Sequence, residues 1–356
     1  MSMFLKKKVY LKYSEAINVA IESTMKKYEN VIVMGLGAED PKRIFGTTKG
    51  LKEKFGKNRV FDIPTSENAF TGICLGVAIN GLRPILSHQR VEFSLLSLEQ
   101  IINQIAKWSF MNNGKKSVPL VIRLIIGRGW GQGPQHSQSL ESIFAHIPGL
   151  KVVAPSNPTD AKGLLIASIE DKNPVIFFEH RWLHDIKDFV PKKYFKKKIG
   201  EPSICMKGKL ITLVSYSYML METLKAAKIL KKNNISCDVI DLNTLRPLNL
   251  KKIFNSVKKT KKLLFIDNGY SDYGIGSEVI SSLISKLPKK NKYDFDKMGI
   301  SNYPIPSARS LAKFCYPTYE TIIKKTLKIL NSKKKVIYQN EKLPNDIPNL
   351  NFEGPF

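Results

Sequence analysis

Six short runs rich in β-branched and apolar residues set the terms for any fold of this chain. They are NVIVMGLG (Asn30 to Gly37), RVFDIP (Arg59 to Pro64), RPILSH (Arg83 to His88), VPLVIRLII (Val118 to Ile126), KVVAP (Lys151 to Pro155) and NPVIFFE (Asn173 to Glu179), spaced by helical or loop segments. Near-continuous apolar strands are buried on both faces, which happens when helices cover a mostly parallel sheet. The segment from Tyr13 to Tyr28 carries Ala16, Ile17, Val19, Ala20 and Ile21 at helical spacing, with Ser14 as its expected cap. LLSLEQIINQIAKWSF (Leu95 to Phe110) is the second clear helical stretch.

The rhythm stops at DFVPKKYFKKKIGEPSICMKG (Asp188 to Gly208), a lysine-rich stretch with two prolines and no sustained period, which is expected as a linker. It restarts with LITLVSY (Leu210 to Tyr216), a helix across Met221 to Lys231, SCDVIDL (Ser236 to Leu242), a helix near Leu250 to Val257 and KLLFIDN (Lys262 to Asn268). The expectation is an α/β protein of two doubly wound domains, 1–190 and a smaller 209–331, joined by a linker 191–208. A polar tail is expected over 332–356.

Composition narrows the function classes. A chain of 356 residues can bury two cores. No apolar stretch reaches about 18 residues and the N-terminus lacks the pattern of a signal peptide. A cytoplasmic protein without membrane contact is expected. Cys74, Cys205, Cys237 and Cys315 are far apart and form no metal-ligand spacing. The net charge of +27 raises a nucleic-acid partner, but the lysines come in dispersed groups such as Lys6 to Lys8, Lys196 to Lys198 and Lys333 to Lys335. They read as solvated surface, so a nucleic-acid partner is not expected, and a non-catalytic basic scaffold stays as a rival reading.

Taken locally, Glu67 in TSENAF is a carboxylate at a strand-to-helix junction that reads first as an ordinary helix start, and is also placed to meet a ligand at the carboxyl end of a parallel strand. Phe93 in QRVEFSLL reads as a core aromatic, and His136 in GPQHSQS follows a glycine-rich loop, Gly127 to Gly133, that can approach a ligand closely. Longer strings decide between these readings. TKGLKEKFGKNRVFDIPTSENAFTGICLGVAINGLRPI (Thr48 to Ile85), QHSQSLESIFAHIPGLKVVAPSNPTDAKGLL (Gln135 to Leu165) and VIDLNTLRPLN (Val239 to Asn249) resemble the β subunit of the first component of pyruvate and branched-chain 2-oxoacid dehydrogenases. That subunit is similar to the C-terminal half of a transketolase, and the resemblance runs from about Tyr13 to Leu330.

The resemblance implies a pyrimidine-binding domain followed by a transketolase C-terminal-type domain, with thiamine diphosphate as cofactor. It implies that Glu67 hydrogen-bonds the far nitrogen of the aminopyrimidine and shares a proton with it, which lets that ring act as a base. Phe93 would stack on the ring, and His88 and Gln89 would line the same place. His136 matches the histidine facing the substrate carboxylate or the intermediate, whereas His146 is expected to pack. Asp171 and Asn173 match a loop that helps hold a potassium ion in some relatives, beside their reading as an ordinary turn.

The family's diphosphate and Mg²⁺ anchor, a GDG segment followed by Asn, is absent, and GIGSEV (Gly274 to Val279) is too weak a glycine pattern to replace it. An α-type partner carrying the Mg²⁺ site is therefore implied, in an α₂β₂ assembly, with a lipoyl-bearing acyltransferase as a further partner. The family reads MGEDV where this chain has MGLGA, so Leu36 takes the place of an acid, which Glu39 replaces only if the loop shifts. The expected activity is 2-oxoacid decarboxylation and dehydrogenation with the acceptor open. A split transketolase or biosynthetic carboligase is the alternative.

Overall fold

A computed structural model of the chain describes residues 8–40, 44–128, 131–337 and 347–348. These fall into two compact units, one from the residues up to Gly127 and from Ile143 to Ile199, the other from Arg128–Ser142 and from Gly200 onward. The second unit thus takes up Arg128–Ser142, a stretch inside the 1–190 expected for the first domain.

The first unit runs β1 (Lys8–Lys12), α1 (Tyr13–Lys27), β2 (Val31–Gly35), α2 (Leu51–Phe55), β3 (Val60–Phe61), α3 (Glu67–Ile79), β4 (Arg83–His88), β5 (Val121–Ile126), β6 (Lys151–Val153), α4 (Pro158–Glu170), β7 (Val175–His180) and β8 (Lys187–Pro191). Its parallel sheet has the order β6-β7-β5-β4-β2-β3, and β1 pairs with β8 in a separate antiparallel ribbon. Every residue of β2, β5 and β7 is buried, as their near-continuous apolar runs require. From β2 the chain goes outward to β3 and then back across to β4, so the strand order reverses between β2 and β4. In open parallel sheets ligands gather outside the carboxyl ends of the strands at such a point.

Two local expectations change. Ser14 is not the cap of α1: the Glu15 carboxylate accepts from the Lys12 N–H at 2.7 Å, while the Ser14 hydroxyl is turned inward to the His184 carbonyl at 3.1 Å. The stretch expected as one helix, Leu95 to Phe110, breaks into a 3₁₀ turn (Phe93–Ser97), a π-helix (Glu99–Ile105) and an α turn (Trp108–Met111). Apolar spacing assumes 3.6 residues per turn and does not register the residue that widens a π turn. Behind it Gly149, at φ 99°, passes so close that a Cβ would lie 1.8 Å from the Ala106 carbonyl oxygen.

The second unit contains β9 (Ser203–Met206), β10 (Ile211–Ser215), α5 (Met219–Lys232), β11 (Cys237–Asp241), β12 (Thr244–Arg246), α6 (Lys251–Thr260), β13 (Lys262–Tyr270), α7 (Ile275–Ile284), β14 (Asp294–Ile300) and α8 (Tyr319–Ile329). Its five-stranded sheet, β14-β13-β10-β11-β9, is parallel except for β9. β9 lies in the stretch expected as linker. Four residues are too few to show a period, and pairing with the edge of β11 makes them a strand. The glycines of GIGSEV serve packing: Gly276 donates its N–H to Asp267, and a Cβ there would lie 2.6 Å from the Phe265 ring. Of the expected tail, residues 338–346 and 349–356 lie outside the described residues, and Ile337 exchanges backbone hydrogen bonds with the Asn233 side chain. No helix of the described residues is long and apolar enough to cross a membrane.

Candidate active site

The reversal point of the first sheet holds a recess of about 280 Å³ lined by Leu36, Ile63, Pro64, Thr65, Glu67, Ser87, His88, Gln89 and Phe93. Each wall follows from the topology. Leu36 follows β2, Ile63 to Thr65 follow β3, Glu67 opens α3, Ser87 and His88 end β4, and Phe93 starts the 3₁₀ turn. Asp62 ties two of these ends together by accepting from the Gly37 N–H at 2.8 Å and the Ile63 N–H at 2.9 Å. The Gln89 amide donates to the Leu36 carbonyl and closes a third side.

Glu67 is the first residue of α3, where backbone N–H groups without helical partners favour a negative charge. It is half-buried, and among the described residues its carboxylate makes no side-chain hydrogen bond. Its carbonyl accepts from the Thr71 hydroxyl at 2.7 Å, and that hydroxyl lies 3.3 Å from His88 Nε2. His88 is buried, and burial pushes its imidazole down to about 4, so it stays neutral at neutral pH. The recess therefore offers one acid without a side-chain partner among the described residues, an aromatic side chain and an uncharged imidazole.

Glu67, His88, Gln89 and Phe93 thus come together in the first unit. His136 belongs to the second, half-buried at the end of a short helix, Gly133–His136, with Pro134 in its first turn. Gly129 and Trp130, within the glycine-rich loop, lie outside the described residues.

Residues 10–185 match the family Transketolase, pyrimidine binding domain, and residues 200–322 match Transketolase, C-terminal domain. The β-2 subunit of the mitochondrial pyruvate dehydrogenase E1 component of Oryza sativa subsp. japonica is 36% identical over 314 residues, covering 87% of this chain and 84% of that protein. The pyruvate dehydrogenase E1 β subunit of Staphylococcus epidermidis is 38% identical over 83% of this chain and 92% of its own length. The chain belongs to the E1 β-subunit family of thiamine-dependent 2-oxoacid dehydrogenases.

Other relatives carry a different donor in their name: the β subunit of acetoin:2,6-dichlorophenolindophenol oxidoreductase of Cupriavidus necator is 36% identical over 88% of this chain and 96% of that protein. Among solved structures, a split-gene transketolase, an inactive β4 tetramer, aligns with a TM-score of 0.74 at 18% identity over 91% of this chain and 99% of its own; that likeness is one of fold.

Within an E1 β chain, the MGLGA departure has a clear outcome. Leu36 is 37% exposed on the wall of the recess. Glu39 does not line it: its carboxylate pairs with Lys52 and accepts from the Asp62 N–H at 3.3 Å. The loop has not brought Glu39 into the place of the family acid.

The potassium expectation at Asp171 and Asn173 does not fit. One Asp171 carboxylate oxygen accepts from the Asn173 N–H at 2.9 Å and its side chain at 3.1 Å, the other pairs with Lys151 at 2.5 Å, and the Asp171 carbonyl accepts from Arg83 at 3.1 Å. The Asp171 oxygens a hard cation would need are thus occupied by the turn and by two cationic side chains. Among the described residues no group of three or more His, Cys, Asp and Glu side chains could hold a metal ion. His146, expected to pack, is exposed.

Reading the sequence missed a buried network behind the recess. Arg123 on β5 and Glu179 on β7 pair at 2.6 Å, and Arg123 also donates to Ser87 at 3.2 Å and Thr47 at 2.8 Å. The signal was present as one cation in VPLVIRLII and one anion in NPVIFFE, each alone in an apolar strand.

Proposed function

We propose that this chain is the cofactor-activating β subunit of a thiamine-diphosphate-dependent 2-oxoacid dehydrogenase, with Glu67 as its activating acid. One observation carries the reading: an E1 β chain has, at the reversal point of its first sheet, a half-buried carboxylate without a side-chain partner among the described residues, lining a recess shared with Phe93.

The residues present fit the aminopyrimidine half of the cofactor and not its diphosphate half. A carboxyl, an aromatic side chain and the polar Gln89 suit a flat heteroaromatic ring, while the recess holds no oxygen set for Mg²⁺. Thiamine diphosphate, when bound, supplies the nucleophilic carbon and the electron sink that decarboxylation of a 2-oxoacid requires. Glu67 would hold a proton at its carboxylate and pass it to a ring nitrogen, Phe93 would fix the plane of that ring, and neutral His88 adds no competing charge. His136 would donate a hydrogen bond or a proton to a substrate oxygen.

This division of labour calls for an α-type partner that brings the Mg²⁺ and diphosphate site. An α₂β₂ complex that hands its acyl unit to a lipoyl-bearing acyltransferase follows from the same reading. None of the four cysteines is joined in a disulfide, which suits a reducing cytoplasm.

The test is co-expression with the α partner and assay of thiamine-diphosphate-dependent CO₂ release from a panel of 2-oxoacids, with acetoin and ketol donors as competing arms. Glu67→Gln is expected to lower turnover by about 10²-fold or more while the complex stays assembled. Undiminished turnover in that variant overturns the role of Glu67. Ketol transfer without CO₂ release from any 2-oxoacid would establish the transketolase or carboligase alternative, and salt-sensitive DNA binding without thiamine-dependent activity would establish the scaffold.

A further inference from the structure

The second sheet has a reversal point of its own. The chain passes from β10 outward to β11 and later back to β13 on the other side, so the carboxyl ends of β10 and β13 flank the place where an open sheet of this type ordinarily receives a ligand. The Ser215 hydroxyl donates to the Ile266 carbonyl at 2.8 Å and holds those ends together. The crevice is filled by the chain itself.

Asp267, 2% exposed, accepts from the Tyr216 hydroxyl at 2.5 Å and from the N–H groups of Gly269 at 3.2 Å and Gly276 at 3.0 Å. The next side chain, Asn268, donates to Glu141 Oε1 at 2.8 Å and to the Ser139 hydroxyl at 3.3 Å. Glu141 is 1% exposed. Gly269 has no side chain to separate the two segments: a Cβ there would stand 3.1 Å from the Ser139 carbonyl oxygen. The other side of His136 is held in a similar way. A Cβ on Gly133 would lie 2.4 Å from the Ser307 hydroxyl and one on Gly131 3.2 Å from the Ser307 carbonyl oxygen.

We propose that Glu141 is a positioning residue whose buried carboxyl, clasped by the Asn268 carboxamide at the reversal point of the second sheet, fixes the segment that carries His136. Four residues separate His136 from Glu141, and Ser307 closes the loop on its other side. The importance of His136 rests on the function proposed above; the clasp does not.

Ionisation tunes the clasp. Burial pushes the Glu141 carboxyl up to about 7, the Asn268 hydrogen bond favours its charged form, and the Asp267 carboxyl opposes that form. The groups facing it are Asp267 of β13, itself raised by burial and moderated by Lys297 of β14, the neutral Tyr216 phenol at the end of β10, and the Asn268 and Ser139 side chains. With its proton, Glu141 meets Asp267 without like-charge repulsion. As pH rises from 4.5 toward 7, closing the segment must return a proton to Glu141, because two carboxylates would otherwise confront each other in a dry crevice, and the segment loosens.

Hydrogen exchange on the full chain, read over residues 131–140 and corrected for intrinsic rates, tests this without cofactor or partner. Glu141→Ala and Asn268→Ala are expected to speed exchange of that segment about tenfold, the factor that losing one such hydrogen bond implies, and leave β10 and β11 protected. Glu141→Gln keeps an acceptor for Asn268, so it should hold wild-type protection and abolish the rise in exchange between pH 4.5 and 7. Wild-type protection in both alanine variants, or failure of Gln to restore it, overturns the proposal. In the assembled enzyme Glu141→Ala should raise KM for the 2-oxoacid at unchanged saturation by thiamine diphosphate. A complex that turns over no 2-oxoacid yet shows Glu141-dependent protection would retire the functional reading and leave the clasp standing.

Discussion

Arg123 and Glu179 meet diagonally across two neighbouring core strands. Arg123 lies opposite Phe177 and Glu179 opposite Ile125, and the guanidinium reaches along the sheet to contact both carboxylate oxygens, Nε to Oε1 at 2.6 Å and Nη2 to Oε2 at 2.9 Å. Both side chains are fully buried. Burial alone would neutralise the acid, but the Arg123 charge and His184, 3.3 Å away, hold Glu179 down to about 2. Because Arg123 also donates to Ser87, this pair stands directly behind the wall of the recess.

Breaking that pair leaves a buried charge without its partner. Arg123→Met should lower stability by about 3–5 kcal/mol, and the double substitution Arg123→Met with Glu179→Leu should recover much of the loss. Urea unfolding of the two variants decides it: equal losses in single and double variants would mean that the desolvated charge is not the cause.

Phe93 can be tested with little change in core volume. Phe93→Leu keeps an apolar side chain and removes the ring, so thiamine diphosphate binding by the assembled enzyme should weaken by a factor of about 2–13, the equivalent of a ring stack of ~0.5–1.5 kcal/mol. Calorimetric titration measures it, and unchanged affinity would assign Phe93 to packing alone.

The two units should respond to pH in opposite senses. His88 has a folded value below its ordinary 6.5, so its contribution is present above pH 6.5 and lost as pH falls toward 4, on the order of 3 kcal/mol in the first unit. Glu141 has a folded value raised from 4.5 to about 7, so stability is lost as pH rises through that window, by a similar amount in the second unit. Hydrogen exchange of β4 and of β13 from pH 4.5 to 7.5 should show the crossing trends. His88→Asn should flatten the first trend and Glu141→Gln the second; a trend that survives its own variant belongs to other groups.

Leu36 makes one wall of the recess apolar. Leu36→Glu places a second carboxyl beside Glu67, and like-charge repulsion favours the protonated form of one of them. The acid limb of the pH–rate profile should move upward by about 1 pH unit. A profile that does not move would mean that the new carboxylate is turned to solvent, away from Glu67.

Much of this was legible along the chain. Near-continuous apolar runs such as VIVMG and VIRLII could be buried only between layers of helices, and from that requirement the parallel sheets followed. The SEN segment, read within its long matching string, pointed to Glu67. The π-helix within Leu95 to Phe110 and the four-residue β9 were not legible, because a period needs more residues than they have. Asp171 and Asn173 read as ligands or as a turn; Lys151 and Arg83, distant in sequence, occupy oxygens of Asp171, and Asn173 donates to it as a turn residue does.

What the chain determined by itself is therefore local and repetitive: strand identity, helix faces, and the placing of an acid at a strand-to-helix junction. What only the tertiary structure decided is which single polar groups become partners across long stretches of sequence. Arg123 finds Glu179 over 56 residues and Asn268 finds Glu141 over 127. No periodicity encodes such a pair. It exists because a polar group withdrawn from water must meet its complement wherever the fold brings one within reach.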